Sequence, residues 1–154
     1  MRLRIAVVGR VKEPHWRAAC DEYLKRLRPY ATVDVVEVSD RDLGTDPARA
    51  VAAESVDLLR ALPEGSYVVV LDLGGSQRTS EQFSEDLAAL MVRGRSDVTF
   101  VIGGSAGIAP EVLARADVVL SLSKMTLPHQ LARVVLLEQI YRAFKIMRNE
   151  PYHL

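Results

Sequence analysis

The side chains best suited to acid–base chemistry lie near the end of the chain. Tyr152 and His153 follow a helix-like stretch that contains Arg142, and His129 lies near the start of that stretch. Imidazole titrates close to neutral pH and is a common general base, and a guanidinium group binds phosphate or stabilises an anion. Each has a structural alternative. Glu138 precedes Arg142 by four residues, the spacing of a helix-stabilising pair, and a histidine just inside a helix start is more often structural.

Two stretches before these residues could form a ligand site. "VIGGSAGIAP" has Gly103, Gly104 and Gly107 after a buried strand, and glycines let backbone approach a ligand closely. It matches neither the dinucleotide fingerprint nor the phosphate loop, and a plain tight turn explains it equally well. "LSLSKMTLPHQ" mixes apolar and hydroxyl side chains, which suits an aromatic ligand with polar edges. The alternative is a connector in which Ser123 and Thr126 only cap.

Composition narrows the class of protein. With 154 residues and 49% hydrophobic content, we expect one domain over 1–154. The sequence has no apolar run of about 18 residues and no signal peptide, so we expect a soluble, cytoplasmic protein without a membrane partner. Cys20 is the only cysteine, lies in a helical pattern and is predicted to be a core residue. No His/Cys spacing predicts a metal site.

The net charge is zero, yet the charges are unevenly distributed. Residues 1–30 carry eight Lys/Arg and three Asp/Glu, residues 31–123 carry seven and fifteen, and residues 124–149 carry five and one. If the two basic ends meet in the fold, they form a basic patch that the net charge conceals. Ordinary solvated surface explains the charges equally well.

Apolar runs alternate with helical patterns along the whole chain. This alternation predicts an α/β fold with a mainly parallel sheet and helices on both faces. Glycines follow three of the strands, and ligands bind beyond the carboxyl ends of such strands. The predicted strands are Leu3–Gly9, Val33–Val38, Tyr67–Leu73 (ended by Gly74 and Gly75), Asp97–Gly104 and Asp117–Ser123.

The predicted last helix, Pro128 to about Met147, is apolar around much of its circumference. Such a helix needs burial on more than one side, whereas a single sheet covers one face. We therefore expect a homodimer in which this helix packs against a second copy.

"FVIGGSAGI", "LSLSKMTLPHQLARVVLLEQIYRAFKI" and the terminal "PYH" together resemble the ribosomal RNA large subunit methyltransferase H family of SPOUT methyltransferases. The resemblance covers essentially the whole chain and is densest from Phe100 to His153. It implies a C-terminal deep trefoil knot that binds S-adenosylmethionine, with the helix from Pro128 at the dimer interface. The residues implied to bind the cofactor are Leu71, Gly103, Gly104, Leu122, Ser123, Lys124, Met125, Thr126 and Leu127.

The resemblance also implies the reaction, methylation of N3 of a pseudouridine in the 23S rRNA of the assembled 70S ribosome. We hypothesise that Tyr152 and His153 bind or deprotonate the base and that Arg142 binds a phosphate or stabilises the imide anion, with His129 as the rival base. Many members have a basic residue after "PYH", and Leu154 here removes one phosphate contact.

Three alternatives stay open. A ribosome-binding factor without activity could use the same fold, although intact "SKMT" and glycine loops argue against it. A SPOUT enzyme acting on tRNA often carries an extra RNA-binding domain, for which 154 residues leave no space. A Rossmann oxidoreductase lacks its fingerprint here and should bind NAD.

Overall fold

The structure is a computed structural model that describes residues 1–41, 44 and 46–152. Strands and helices alternate along these residues, as the apolar pattern predicts. The elements are β1 (Arg2–Val8), α1 (Pro14–Leu27), β2 (Thr32–Val38), α2 (Pro47–Ala61), β3 (Tyr67–Gln77), α3 (Ser80–Val92), β4 (Asp97–Ile102), α4 (Pro110–Leu113), β5 (Val118–Ser121) and α5 (His129–Met147).

The five strands form one sheet in the order β2-β1-β4-β3-β5, and every pairing is parallel. Side chains alternate across it because successive residues of a strand point to opposite faces. Leu3, Ile5 and Val7 of β1 join one apolar cluster, and Ala6 and Val8 join the other. The predicted α/β architecture is therefore confirmed.

Helices cover both faces of the sheet. Phe83 of α3 and Leu136 of α5 belong to the larger cluster, together with Cys20 of α1, which is buried as predicted. Leu58 of α2 and Val112 of α4 belong to the smaller cluster on the opposite face. A parallel sheet covered in this way has strands that are apolar throughout. No helix within the described ranges is long and apolar enough to cross a membrane.

Side-chain hydrogen bonds cap the starts of two helices. The side chain of Asp46 accepts a hydrogen bond from the Arg49 backbone N–H at 3.1 Å before α2. Thr79 and Gln82 form a reciprocal capping box before α3, with bonds of 3.1 and 3.0 Å. Each satisfies backbone donors that a helix start leaves unpaired. The short helix α4 had no periodic pattern long enough to predict it.

The prediction that Gly74 and Gly75 end the third strand is wrong, because β3 continues to Gln77. Its pairing with β5 breaks after Leu71 and resumes at Ser76, so the strand contains a bulge-like irregularity. A Cβ added to Gly75 would lie only 2.6 Å from the carbonyl oxygen of Val119 on β5. Gly75 therefore allows a close backbone approach within the sheet.

We expect Gly75→Ala to destabilise the fold, because the new methyl group would push β3 and β5 apart at Val119. Overpacking of this kind costs roughly 1–3 kcal/mol in free energy of unfolding. Gly74→Ala is the matched control, since there the nearest atom to an added Cβ is the flexible Asp72 carboxylate oxygen, 3.1 Å away. Denaturant unfolding of both variants measures the effect, and equal midpoints for Gly75→Ala and wild type would contradict this account.

Candidate active site

The carboxyl ends of β3, β4 and β5 meet around an open cleft of about 670 Å3. Parallel strands bring their carboxyl ends to one edge, where ligands bind in α/β sheets. Nearly all of the residues that the family resemblance implies to bind the cofactor line this cleft. Its walls include Leu71, Gly103, Gly104, Leu122, Ser123, Met125, Thr126, Leu127 and also His129. Lys124 is exposed in the same loop but lies outside this lining.

The glycine loop after β4 is a tight turn and also a wall of the cleft. The Gly107 backbone N–H donates to the Gly104 carbonyl at 3.1 Å, and Gly107 has a φ of +96°, which favours glycine. A Cβ on Gly103 would lie 2.6 Å from the Cδ1 atom of Ile108 and 2.9 Å from the Gly107 carbonyl oxygen. The loop is therefore both a tight turn and a possible ligand-binding segment, because the turn itself forms a wall of the cleft.

The loop after β5 is held by its own serines. The Ser121 hydroxyl donates to the Ser123 carbonyl at 2.9 Å, and the Ser123 hydroxyl accepts from the Met125 backbone N–H at 2.9 Å. Ser123 therefore has the capping role that was its structural alternative. The same turn leaves Met125 78% exposed at the cleft, where its flexible thioether can pack against a ligand ring.

Charge in the cleft is sparse. Among the described residues that line it, Asp72 is the only carboxylate, none is Lys or Arg, and His129 lies at the start of α5. Oxygen atoms and apolar groups therefore dominate the wall, which suits a partly apolar ligand with a positive charge. Asp72 follows Leu71, where the pairing of β3 with β4 ends, and its place directly after an apolar run is the signal that could have identified it.

The predicted acceptor-binding residues form a second cluster near the end of α5. Arg142 donates through Nε to Oε1 of Glu138 at 2.9 Å, and its Cζ lies 4.7 Å from the Tyr152 ring centroid. The Tyr152 hydroxyl donates to the same Glu138 oxygen at 3.2 Å. The Tyr152 ring also packs edge-on against Tyr141, with centroids 4.8 Å apart. The pair of Glu138 and Arg142, which was the structural alternative for Arg142, is present, and Tyr152 also binds its carboxylate.

Burial and its partners raise the pKa of Tyr152 to about 12. The hydrogen bond to Glu138 raises the pKa of Arg142. Tyr152 is therefore protonated and Arg142 cationic across the physiological range, so both act as hydrogen-bond donors. Sequence reasoning treated Glu138 only as a helix partner, but its carboxylate joins the two donors.

Within one chain the second cluster is far from the cleft. His129 and Arg142 lie thirteen residues apart on α5, and at 1.5 Å per residue this is about 20 Å along the helix. The structure thus brings together Arg142 and Tyr152, and separately His129 and the cleft residues. His153 lies outside the described residues. No group of three or more His, Cys, Asp or Glu side chains in the described ranges could hold a metal ion.

The whole chain is similar to characterised families. The family model described as predicted SPOUT methyltransferase matches residues 1–153. A protein of Bifidobacterium animalis named ribosomal RNA large subunit methyltransferase H is 50% identical over 99% of each chain. A protein of the same name from Ruminiclostridium cellulolyticum is 46% identical, also over 99% of each chain.

Solved structures agree at the level of fold. A probable methyltransferase from Bordetella pertussis matches 93% of this chain and 96% of its own, with a TM-score of 0.60 and 13% identity. The parallel sheet, the cleft at its carboxyl edge and the match over almost the full length show that the chain belongs to the SPOUT methyltransferase family.

Proposed function

We propose that this chain transfers a methyl group from S-adenosylmethionine to N3 of a pseudouridine in 23S rRNA, within the assembled 70S ribosome in the cytoplasm. The observation that carries the proposal is the convergence of the three motif-bearing strand ends on one cleft. The relatives at 46–50% identity are named as large-subunit rRNA methyltransferases, which supports an rRNA substrate. The deep knot and a single domain over 1–154 are part of the same proposal.

The cleft fits S-adenosylmethionine in size and chemistry. Its volume of about 670 Å3 falls in the range of small-molecule sites. Leu71, Leu122 and Leu127 offer apolar surface to an adenine ring, and Asp72 offers a negative charge to a cationic ligand. Gly103 and Gly104 let this wall pack closely, because an added Cβ would lie 2.6 Å from Cδ1 of Ile108 and 3.0 Å from Cγ1 of Val8, respectively. When bound, the cofactor supplies a methyl group that is already activated by a positive sulfur.

The acceptor nitrogen, N3 of the pseudouridine, must lose a proton. We assign assistance of this step to the polar residues of the site. A general base with a pKa near the working pH would accept that proton. Tyr152 is unsuited to this role because its pKa of about 12 keeps the hydroxyl protonated. We therefore assign Tyr152 and Arg142 to binding the base or its developing imide anion. His153 and, as its rival, His129 remain the candidates for the general base.

The cleft and the cluster of Glu138, Arg142 and Tyr152 lie too far apart in one chain to form one site. The proposal therefore includes a second copy of the chain. Leu131, Val135, Glu138 and Arg142 form one stripe of α5, spaced by three or four residues, and all are partly exposed. The opposite face packs against α1 and α3. Two α5 helices that cross antiparallel near Val135, midway between His129 and Arg142, would place Arg142 of one copy near His129 of the other. We therefore propose a two-fold homodimer with shared sites.

Methyl transfer from labelled S-adenosylmethionine tests the proposal. We expect label in 70S ribosomes that lack the modification, mapped to N3 of one pseudouridine, and little label in free rRNA, isolated subunits or tRNA. Gly103→Ala should lose label and cofactor affinity together, because the added methyl group displaces Ile108 and the loop. Gly94→Ala is the control for backbone strain away from the cleft, since Gly94 has a φ of +74° and does not line the cleft, and it should keep cofactor affinity.

Label in tRNA alone would contradict the proposed substrate. A folded protein that binds cofactor and ribosomes but labels none of these substrates would instead be a ribosome-binding factor.

Arg142→Ala should lower kcat by roughly 100-fold, because one charge-stabilising donor in an active site is worth this much. Cofactor affinity should be unchanged, since Arg142 lies ten residues, about 15 Å along α5, beyond Ala132, the last α5 residue that lines the cleft of its own chain. Arg26→Ala is the matched control, because Arg26 pairs with Glu22 at the same spacing, at 2.9 Å, and also lies over a tyrosine ring. Full activity of Arg142→Ala with intact cofactor binding would remove Arg142 from the site.

Tyr152→Phe should lower kcat by about ten-fold, since it removes a hydroxyl donor and leaves the ring. Its profile of rate against pH should match that of wild type up to about pH 9. The reason is that a group with a pKa of about 12 is protonated throughout this range and loses its proton only above it. A limb of the wild-type profile that disappears in Tyr152→Phe below pH 9 would contradict this assignment.

A further inference from the structure

We propose that the β1–α1 loop, residues 9–13, and the first turn of α1 form a preorganised RNA-binding surface at the rim of the cleft. Its ligand is the phosphate backbone of the substrate RNA, with an unpaired base stacked on the adjoining aromatic pair. This inference rests on the proposed function and goes beyond it by naming the residues that dock the RNA. We call this segment, residues 9–17, the docking loop.

The docking loop begins beside the cleft. A Cβ added to Gly9 would lie 3.8 Å from Nε2 of His129, and His129 lines the cleft. β1 ends at the same edge of the sheet as β3 and β4, because the three strands are parallel. RNA held by this loop would therefore have its neighbouring nucleotides within reach of the cleft.

An ion pair between the buried Arg133 and the partly exposed Glu37 holds the loop. Arg133 of α5 is 5% exposed, and it donates through Nη1 to Oε2 of Glu37 at 2.8 Å and through Nη2 to the Gly9 carbonyl at 2.9 Å. The same Glu37 oxygen accepts from the Val11 backbone N–H at 3.4 Å, and Val11 is itself 5% exposed. A buried charge that lost these partners would be costly, so the loop is held in this conformation. A rigid loop loses little conformational entropy when it binds.

The exposed side of the loop is basic and aromatic. Arg10, Lys12 and Arg17 are exposed, and Glu13 is the one acidic residue among residues 9–17. The exposed His15 ring lies 4.9 Å from the ring of Trp16, which is half-buried and packs against the larger cluster, so His15 offers the more open stacking surface. Basic side chains contact phosphates and set the position of a nucleic acid, and aromatic rings stack on unpaired RNA bases. The segment thus combines the two kinds of contact that single-stranded RNA regions use.

The carboxylates nearest to the loop do not cancel this charge. Glu37 is paired with the buried Arg133, so its charge is already neutralised. Asp40 approaches the start of the loop, with its Cβ 4.0 Å from a Cβ added to Gly9. Three of the eight basic residues of the segment 1–30 thus lie in the docking loop next to the cleft, against one acidic residue, Glu13.

Arg10→Ala/Lys12→Ala is the decisive variant, compared with Arg93→Ala/Arg115→Ala. Both control residues are exposed cations that precede β4 and β5, at the opposite edge of the sheet. Binding to 70S ribosomes that lack the modification is measured without cofactor, over a series of salt concentrations. For the loop variant we expect affinity to fall roughly ten-fold and the slope of log affinity against log salt to fall by about 1 for each cation removed. The control pair should bind as wild type does.

In steady state, the loop variant should show a raised KM for ribosomes with kcat and cofactor affinity unchanged. Equal affinity and equal salt slope for the loop variant and the control pair would overturn the inference, whether or not wild type transfers a methyl group. Methyl transfer by wild type decides the proposed function separately. A ribosome affinity that falls only in the loop variant supports the docking loop in either case.

Discussion

Parallel pairing of β1, β4, β3 and β5 brings the ends of these strands to one edge of the sheet, and the candidate site depends on this geometry. Helices cover both faces of the sheet, so its ligand-facing residues lie where the strand pairing ends and in the loops that follow. The glycine loop, the loop from Leu122 to Leu127 and Gly9 meet at this edge for that reason. A change in strand order would separate them without altering any motif.

Helix α5 connects this edge to the rest of the molecule. It starts at the cleft with His129, is fixed to β1 and β2 by the buried Arg133, and ends near the cluster of Glu138, Arg142 and Tyr152. All residues of α5 from His129 to Met147 are buried or half-buried. Its length separates the cleft from the cluster, and the proposal of a site shared between two copies follows from this separation.

The fold and the cleft were largely predictable from the sequence, because apolar strand runs and glycine-bearing strand ends are local signals. Leu71, Gly103 and Leu122 line the cleft because β4, β3 and β5 are both parallel and adjacent in the sheet. The continuation of β3 past Gly75 was not predictable, because two glycines usually end a strand and the close approach to Val119 depends on β5. The contact of Glu138 with Tyr152 was also not predicted. The sequence spacing indicates only the helix pair of Glu138 and Arg142, and the bond from Tyr152 depends on how the chain turns after α5. The separation of the cleft from Arg142 follows only from their positions on one straight helix.

The most direct test of this account is activity in mixed dimers of Gly103→Ala and Arg142→Ala chains. Each variant alone should be nearly inactive, since one lacks the cleft and the other lacks the cluster. If each site combines the cleft of one copy with the cluster of the other, a mixed dimer has one intact site. With random exchange in an equal mixture, the activity returns to about a quarter of the wild-type value. An equal mixture that stays as inactive as either variant alone would contradict a shared site.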